Sequence, residues 1–222
     1  MNATTFSQRI QFHFFVLSPY AIVLLVIAFL FGCQQKKEQV KQEPQPTVTL
    51  ENLQTAYNKA MRHNFMYSKF VPQAEKEKNK EMANLYRAIA RSEEIHAQQH
   101  AALLRSKGIE PKEPIFDSIT VGTIMQTLKM ALSSEEIETE SMYPNLMRTA
   151  EAEKFPQAAE QFTLCREGDI RQSDLMKEAQ NTNGKIKKVP YLICPACGYI
   201  FTSEEVEGCP TCKIKKDKFE KI

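Results

Sequence analysis

Apolar residues recur at spacings of three and four positions through the middle of the chain, where glycine is rare. This periodicity is typical of helices that bury one face. Glycine and proline are concentrated in residues 108–114, and Gly184 and Pro190 follow the last periodic segment. The pattern predicts four helices, at about residues 50–71, 76–106, 121–149 and 156–181.

The two halves of this helical region resemble each other at an offset of 76 residues. The Met-Tyr pair at 66–67 recurs at 142–143, and the Glu-Lys pair at 77–78 recurs at 153–154. A duplicated helix pair is therefore predicted to form a four-helix bundle, which makes the fold class mainly α.

Several ionisable residues fall on the helix faces that the periodicity turns inward. They are Glu93 and His96 on the second helix, Glu135 and Glu138 on the third, and Asp169 on the fourth, which the repeat aligns with Glu93. Burying several carboxylates together is costly unless a cation neutralises them. The pattern therefore predicts a metal centre inside the bundle. The alternative is that Glu135 and Glu138 are exposed charges, because residues 135–140 form an acidic run.

His100 and Cys165 also lie on the inward faces. A buried histidine with a hydrogen-bond partner and a buried apolar thiol are both common in protein cores. We expect these two residues to pack in the core rather than to bind metal.

The C-terminal region contains two CxxC pairs separated by eleven residues, formed by Cys194, Cys197, Cys209 and Cys212. Each pair, with its proline and with Gly198 after the first, predicts a tight turn that directs two thiolates at one ion. The alternative is two disulfides or four unrelated thiols. A four-thiolate site binds iron or zinc, and the spacing does not choose between them.

The N-terminal region predicts export. Residues 21–31 form an apolar run that is shorter than the roughly 20 residues needed to span a bilayer but suits a signal peptide. Residues 30–33 resemble the lipoprotein cleavage motif, in which Cys33 becomes the lipidated first residue. We expect a signal peptide at 1–32, a flexible linker at 33–47, and a lipoprotein anchored to a membrane on its periplasmic or cell-surface side. An uncleaved anchor starting near residue 14 is the alternative.

The remaining chain predicts a bundle domain at 48–182 and a small metal domain at 188–222. The formal net charge is +2, and the basic residues are scattered without interleaved aromatic residues. Nucleic-acid binding therefore has no support.

Together these motifs resemble the rubrerythrin family. They are Asn52-Leu53 and Tyr67 in the first helix, Glu93-Glu94-Ile95-His96 in the second, Glu135-Glu136-Ile137-Glu138 and Met142-Tyr143-Pro144 in the third, and the four cysteines. The resemblance implies a ferritin-like four-helix bundle followed by a rubredoxin-like domain. It also implies a di-iron site that reduces hydrogen peroxide with electrons relayed through the four-cysteine iron.

By this resemblance Glu93, His96, Glu135 and Glu138 would be ligands, and Tyr67 and Tyr143 would hold carboxylates in place. These six residues would be the catalytic ones. Family members often form dimers, so the resemblance also implies a homodimer.

Two helices, the first and the fourth, depart from the family pattern. Ala60 stands where the first helix of the family supplies a glutamate, and Asp169 and Gln172 stand where the fourth helix carries Glu-x-x-His. His63 or Asn64 could replace the missing carboxylate in part. The bundle is therefore expected to hold one or two iron ions, and a single ion bound by residues of two helices is chemically reasonable.

Three functions follow from this pattern. The first is a membrane-tethered redox protein that transfers electrons and reduces peroxide, with a donor protein that the sequence does not identify. The second is a protein that stores or binds one metal ion without turnover. The third is a structural protein with a zinc-loaded four-cysteine knuckle and an inactive bundle.

Overall fold

The computed structural model describes residues 46–203 and 206–222, and this part of the chain is mainly helical. Its helices are α1 (Thr47–Lys76), α2 (Lys80–Ser106), α3 (Ile124–Ile137), α4 (Tyr143–Ala152) and α5 (Pro156–Asn181). A π-helical segment, Glu138–Met142, joins α3 to α4. These described residues therefore form four helical rods, as the periodicity predicts.

The observed helix ends differ by a few residues from the predicted ones, and capping side chains determine the starts of α2 and α3. The structure begins α2 at Lys80, after Asn79, whose side chain accepts the backbone N–H of Met82 at 3.1 Å. It begins α3 after a capping box between Thr123 and Gln126. Such caps satisfy backbone N–H groups that the first helical turn leaves free.

The turns that follow α1 and α4 share one backbone conformation. Lys78 and Lys154 both adopt a left-handed conformation, with φ of +58° and +56°. Each is followed by an N–H that bonds a carbonyl five residues earlier, at 2.9 Å for Asn79 and 2.8 Å for Phe155. This shared geometry agrees with the predicted duplication of a helix pair.

The π-helical segment shifts the alignment of the two halves. A π-helical turn contains one more residue than the α-helical turn it replaces. The offset of 76 residues therefore falls to 75 on the N-terminal side of the segment. Ala60 then corresponds to Glu135, and His63 to Glu138. The prediction of one constant offset is wrong for this reason.

Two apolar cores lie towards opposite ends of the bundle. One includes Tyr67, Phe70 and Tyr86, and the other includes Leu53 and Phe162. Their rings and aliphatic side chains are fully buried. The buried ionisable residues lie between these cores, near the middle of each helical rod.

A three-stranded antiparallel sheet follows the bundle. Its strands are β1 (Leu192–Ile193), β2 (Ile200–Phe201) and β3 (Glu220–Lys221), in the order β2-β1-β3. Arg91 of α2 donates two hydrogen bonds to Glu220, at 2.7 and 2.8 Å. Arg171 of α5 donates to a β2 carbonyl at 3.1 Å. The small domain therefore packs on α2 and α5 of the same chain.

No helix within the described ranges is both long enough and apolar enough to cross a membrane. The predicted signal peptide at 1–32 and the lipidation site at Cys33 lie outside the described residues.

Candidate metal centres

The four C-terminal cysteines converge on one point. Their Sγ atoms all lie within 4.8 Å of one another. The Sγ atoms of Cys194 and Cys212 are 3.3 Å apart, and those of Cys197 and Cys209 are 3.5 Å apart. A disulfide needs about 2.05 Å, so the disulfide alternative is wrong. Four sulfurs at about 2.3 Å from one ion would be about 3.8 Å apart, so this cluster fits a single iron or zinc ion.

Both cysteine turns are built in the same way. The N–H of Gly198 donates to the Cys194 carbonyl at 2.9 Å, and the N–H of Lys213 donates to the Cys209 carbonyl at 3.0 Å. Gly198 and Lys213 also share a left-handed backbone, with φ of +73° and +65°. Gly198 has the predicted role in the first turn, and the second turn reaches the same shape with a lysine.

The five residues predicted to bind metal in the bundle are all buried. They are Glu93, His96, Glu135, Glu138 and Asp169. In the acidic run, Glu136 and Glu140 are exposed, whereas the two predicted ligands point inward. The alternative that Glu135 and Glu138 are surface charges is therefore wrong.

The two predicted tyrosines have different surroundings. The hydroxyl of Tyr67 donates to Glu135 Oε1 at 2.9 Å, which holds that carboxylate in place. The hydroxyl of Tyr143 is buried and has no hydrogen-bond partner among the residues that the structure describes. The Tyr143 hydroxyl therefore does not hold a carboxylate in place, contrary to the expectation.

Lys59 of α1 lies at the centre of the bundle cluster and is absent from the predicted site residues. Its Nζ is 2.7 Å from Asp169 Oδ2, 2.5 Å from Glu138 Oε2 and 3.5 Å from Glu93 Oε2. The side chain of Lys59 is only 9% exposed. An ammonium group therefore neutralises part of the charge that was expected to require a metal ion.

The inward face of α1 also brings His63 into the cluster. Its Nε2 is 3.1 Å from Glu138 Oε1, and its Nδ1 is 3.4 Å from Glu135 Oε1. Lys59, His63 and Tyr67 follow one another in steps of four along α1, so they share one face. Extending that face backwards from Tyr67 is the sequence signal that would have identified Lys59.

The positions that depart from the family pattern have distinct roles. The Nε2 of Gln172 donates to Glu93 Oε1 at 2.7 Å, and its Oε1 is buried without a partner in the described part of the chain. Ala60 is buried and offers no ligand atom. Asn64 donates to an α2 carbonyl at 2.8 Å. Of the two suggested substitutes for the missing carboxylate, the cluster therefore includes His63 and not Asn64.

The glutamates of the cluster differ in pKa because burial raises the pKa of each of them, and the neighbouring cationic groups outweigh burial only at Glu93. Burial would raise the pKa of Glu93, but Lys59, His96 and His63 together outweigh burial and hold this pKa well below its ordinary value. Burial and neighbouring carboxylates raise the pKa of Glu135 well above its ordinary value. Burial also raises the pKa of Glu138, to about 7. Without a metal ion, the cluster thus favours ionised Glu93 and protonated Glu135.

His96 connects the bundle cluster to the four-cysteine cluster. Its Nε2 is 3.1 Å from the backbone oxygen of Cys197. Because a carbonyl only accepts, Nε2 carries a proton. Burial lowers the pKa of His96, but Cys165, Glu93 and Asp169 together raise it well above its ordinary value, so a metal ion bound at Nδ1 would replace a proton there. Nδ1 is 3.4 Å from Glu93 Oε1 and 3.3 Å from Asp169 Oδ1, and it is buried without a hydrogen bond in the described residues. A metal ion bound to these three atoms would satisfy it.

Two glycines permit the close approach of His96 to the small domain. A Cβ atom on Gly198 would lie 2.7 Å from His96 Nε2, and a Cβ atom on Gly168 of α5 would lie 2.8 Å from it. Both distances are shorter than real contacts. Ser92 also donates to the Gly198 carbonyl at 2.6 Å. Larger residues at these glycines would separate the two clusters.

His100 and Cys165 lie beside the bundle cluster, as expected of core residues. The Sγ of Cys165 is 3.5 Å from His100 Nε2 and accepts from Gln161 Nε2 at 3.1 Å. Neither residue belongs to a group of converging ligand atoms among the described residues.

The bundle contains three overlapping groups of ligand atoms that lie within 4.8 Å of one another. They are His63, Glu93 and Glu135; Glu93, His96 and Asp169; and Glu135, Glu138 and Asp169. In the second group, an imidazole nitrogen faces two carboxylate oxygens that Lys59 does not contact. This group therefore fits one iron ion by its donor set and by its unpaired nitrogen.

Comparisons with known proteins agree with this architecture. Residues 30–104 and 51–167 match the rubrerythrin family model. Rubrerythrin-2 of Clostridium acetobutylicum is 30% identical over 183 residues, covering 78% of this chain and 96% of the relative. Nigerythrin of Nitratidesulfovibrio vulgaris is 28% identical over 171 residues, covering 77% and 85%.

The solved structure of nigerythrin in its fully reduced, all-ferrous state has a TM-score of 0.74 to this chain, covering 78% of this chain and 86% of nigerythrin. The predicted fold class, a mainly helical bundle followed by a small four-cysteine domain, is confirmed. The chain belongs to the rubrerythrin family.

Proposed function

We propose that this protein transfers electrons from an iron ion in the four-cysteine cluster to iron in the bundle, where hydrogen peroxide is reduced. The hydrogen bond between His96 and the Cys197 carbonyl carries this proposal. Cys197 would bind one metal through its thiolate, and His96 would bind the other through Nδ1. The path between the two metals would then consist of one residue, one hydrogen bond and one imidazole ring.

This path lies within a single chain. A homodimer, which the family resemblance implies, stays a prediction, and the proposed electron path does not require one.

Iron in these sites is supported by relatives in the same family. The nigerythrin structure is described as all ferrous. The four-thiolate cluster of this chain accepts iron or zinc, and only iron would transfer electrons. The identity of the metal in that cluster therefore decides between the redox function and a structural one.

Reduction of one peroxide molecule to two water molecules consumes two electrons and two protons. Iron in the bundle would supply the redox-active centre. Tyr67 would hold the Glu135 carboxylate in place beside the iron site, and the apolar cores would limit access of water. Because a single four-cysteine iron delivers one electron at a time, the donor protein must reduce it twice per peroxide.

We also propose that the protein is exported and tethered to a membrane through a lipid on Cys33. The support is the apolar run at 21–31 and the Gly32-Cys33 pair that follows it. Mass spectrometry of the N-terminal peptide from the membrane fraction tests this proposal. A peptide that begins at lipidated Cys33 supports it, whereas an intact N-terminus supports the uncleaved anchor.

The redox proposal is tested with the double substitution Glu93→Ala and His96→Ala. We expect it to abolish metal binding in the bundle and peroxide-dependent oxidation of the reduced protein, while the four-cysteine cluster keeps its iron. Elemental analysis gives the metal content, and the visible absorbance of the iron–thiolate centre follows oxidation after peroxide is added. Unchanged metal content in this variant would contradict the ligand assignment.

The matched control is Glu94→Ala with Gln98→Ala, which alters two exposed residues on the same helix. We expect both its metal content and its rate of oxidation to equal those of the wild-type protein. A loss equal to that of the first variant would show that the effect comes from α2 stability rather than from ligand removal.

Lys59 favours a second candidate function, a metal-binding or structural protein with zinc in the four-cysteine cluster and an inactive bundle. The ammonium group already neutralises part of the buried charge without a metal ion. This function predicts zinc as the metal of the purified protein and no oxidation by peroxide. Iron in the four-cysteine cluster together with peroxide-dependent oxidation would exclude it.

A further inference from the structure

The bundle contains a cation of its own at the point where carboxylates converge. The Lys59 ammonium contacts Asp169 of α5, Glu138 of the π-helical segment and Glu93 of α2, each through one oxygen atom. Lys59 itself belongs to α1. A single buried ammonium group thus joins all four helical rods, which is the structural role that a metal ion has in a carboxylate-rich bundle.

In Glu93 and Asp169, Lys59 contacts only one of the two carboxylate oxygens. It contacts Glu93 Oε2 and Asp169 Oδ2. The other oxygens, Glu93 Oε1 and Asp169 Oδ1, lie 3.4 and 3.3 Å from His96 Nδ1. The side of the cluster that faces His96 therefore remains available to a metal ion.

Gln172 can complete the ligand set on that side. Its Nε2 lies 2.7 Å from Glu93 Oε1, and its Oε1 is buried without a hydrogen bond in the described part of the chain. Exchange of the two amide atoms by rotation of the group would present Oε1 to an ion beside Glu93. Three oxygens and one imidazole nitrogen would then surround the ion.

We propose that the bundle holds one metal ion, bound by Glu93, His96, Asp169 and Gln172, and that the Lys59 ammonium takes the place of a second ion. A second ion beside Glu138 would need oxygens that Lys59 already contacts. The inference rests on the proposed function only in requiring that the bundle binds metal.

The test is a count of bound metal ions in the full-length protein, with Co²⁺ as the probe under anaerobic conditions. Co²⁺ bound by four thiolates absorbs much more strongly than Co²⁺ bound by oxygen and imidazole, so the two sites are counted separately. We expect one bundle ion per chain in the wild-type protein and two in Lys59→Ala. The matched control is Lys69→Ala, which removes an exposed lysine of α1 and should still bind one bundle ion per chain.

Two further variants keep the test decisive. Lys59→Arg retains the charge and should stay at one bundle ion. Lys59→Gln removes the charge but keeps a polar side chain, and it replaces Lys59→Ala if that variant does not fold. The number of bundle ions in the wild-type protein tests the inference even if neither variant that removes the charge folds.

A wild-type bundle that takes two ions, or none, would overturn the inference. So would a folded Lys59→Ala or Lys59→Gln variant that still takes one ion. If the counts are as expected but peroxide does not oxidise the reduced protein, the proposed function fails while the assignment of Lys59 stands.

Discussion

The four-cysteine cluster and the bundle cluster both bring metal-ligand atoms together, but among the described residues only the bundle cluster contains a competing cation, Lys59. The four cysteines lie in two short turns of the same shape, and their sulfurs face one another. In the bundle, carboxylates from three helical rods surround Lys59 from the fourth. Ala60 and Gln172 also replace ligands that the family pattern would supply.

This difference follows from how each site meets its physical requirement. Four thiolates close together repel one another unless a metal ion neutralises them. Buried carboxylates need positive charge, and an ammonium group can supply it as well as a metal ion can. In a site whose ligands come from separate helices, single substitutions can therefore replace a metal ligand or introduce a cationic side chain while the buried charges stay paired.

The largest expected effect comes from removing one thiolate from each turn, with Cys194→Ser and Cys209→Ser. Structural zinc bound by thiolates contributes about 10–16 kcal/mol to the folding of small domains. We expect loss of the metal ion, loss of amide protection from hydrogen exchange in residues 191–222, and retention of the bundle helices. Elemental analysis, hydrogen exchange and far-UV circular dichroism measure these three outcomes.

The control for this prediction is Cys165→Ser, which changes a buried thiol outside the four-cysteine cluster. It should keep the four-cysteine metal. Loss of bundle helicity in the double cysteine variant would contradict the comparison, because it would show that the two regions do not hold together independently.

Much of the fold could be predicted because its determinants are local. The helices follow from apolar periodicity, and the four-cysteine cluster follows from two CxxC turns whose geometry a few residues determine. The duplication is visible in the sequence because the same turn, with a left-handed lysine at 78 and 154, occurs in both halves.

The bundle cluster could be predicted only in part because it depends on how helices are rotated against one another. The π-helical segment Glu138–Met142 shifts the alignment of the halves by one residue and produces no clear pattern of its own. Lys59 was not predicted because a lysine in an amphipathic helix is ordinarily solvent-exposed. The spacing of four from His63 and Tyr67 places Lys59 on the inward face of α1, but its three carboxylate partners become visible only when the other helices are placed around it.

A smaller effect distinguishes the two tyrosines of the bundle. Tyr67→Phe leaves Glu135 without its buried donor, and an unsatisfied buried group costs about 1–3 kcal/mol. Tyr143→Phe removes a hydroxyl that has no hydrogen-bond partner in the described residues, so we expect little loss of stability. Urea unfolding of both variants at one pH measures the difference. Equal losses would contradict the different surroundings that the structure gives them.

The smallest effect concerns the start of α1, the helix that carries Lys59. No side chain of its own caps this helix, and Glu153 of the following turn accepts the N–H groups of Thr49 and Val48 at 2.8 and 3.2 Å. The donation from Thr49, followed by that from Val48, holds the pKa of Glu153 below its ordinary value of 4.5. Glu153→Gln keeps an acceptor but removes the charge.

A carboxyl group whose pKa is lower in the folded state stabilises the fold above its unfolded pKa, and this contribution is lost as the pH falls through the folded value. Glu153→Gln should therefore be less stable than the wild-type protein at pH 7, and the difference should shrink below about pH 4. Urea unfolding of the helices at both pH values tests this, because acid effects common to both proteins cancel in the difference. A difference that persists unchanged in acid would mean that the ionised carboxylate does not hold the first turn of α1, and that packing alone positions Lys59.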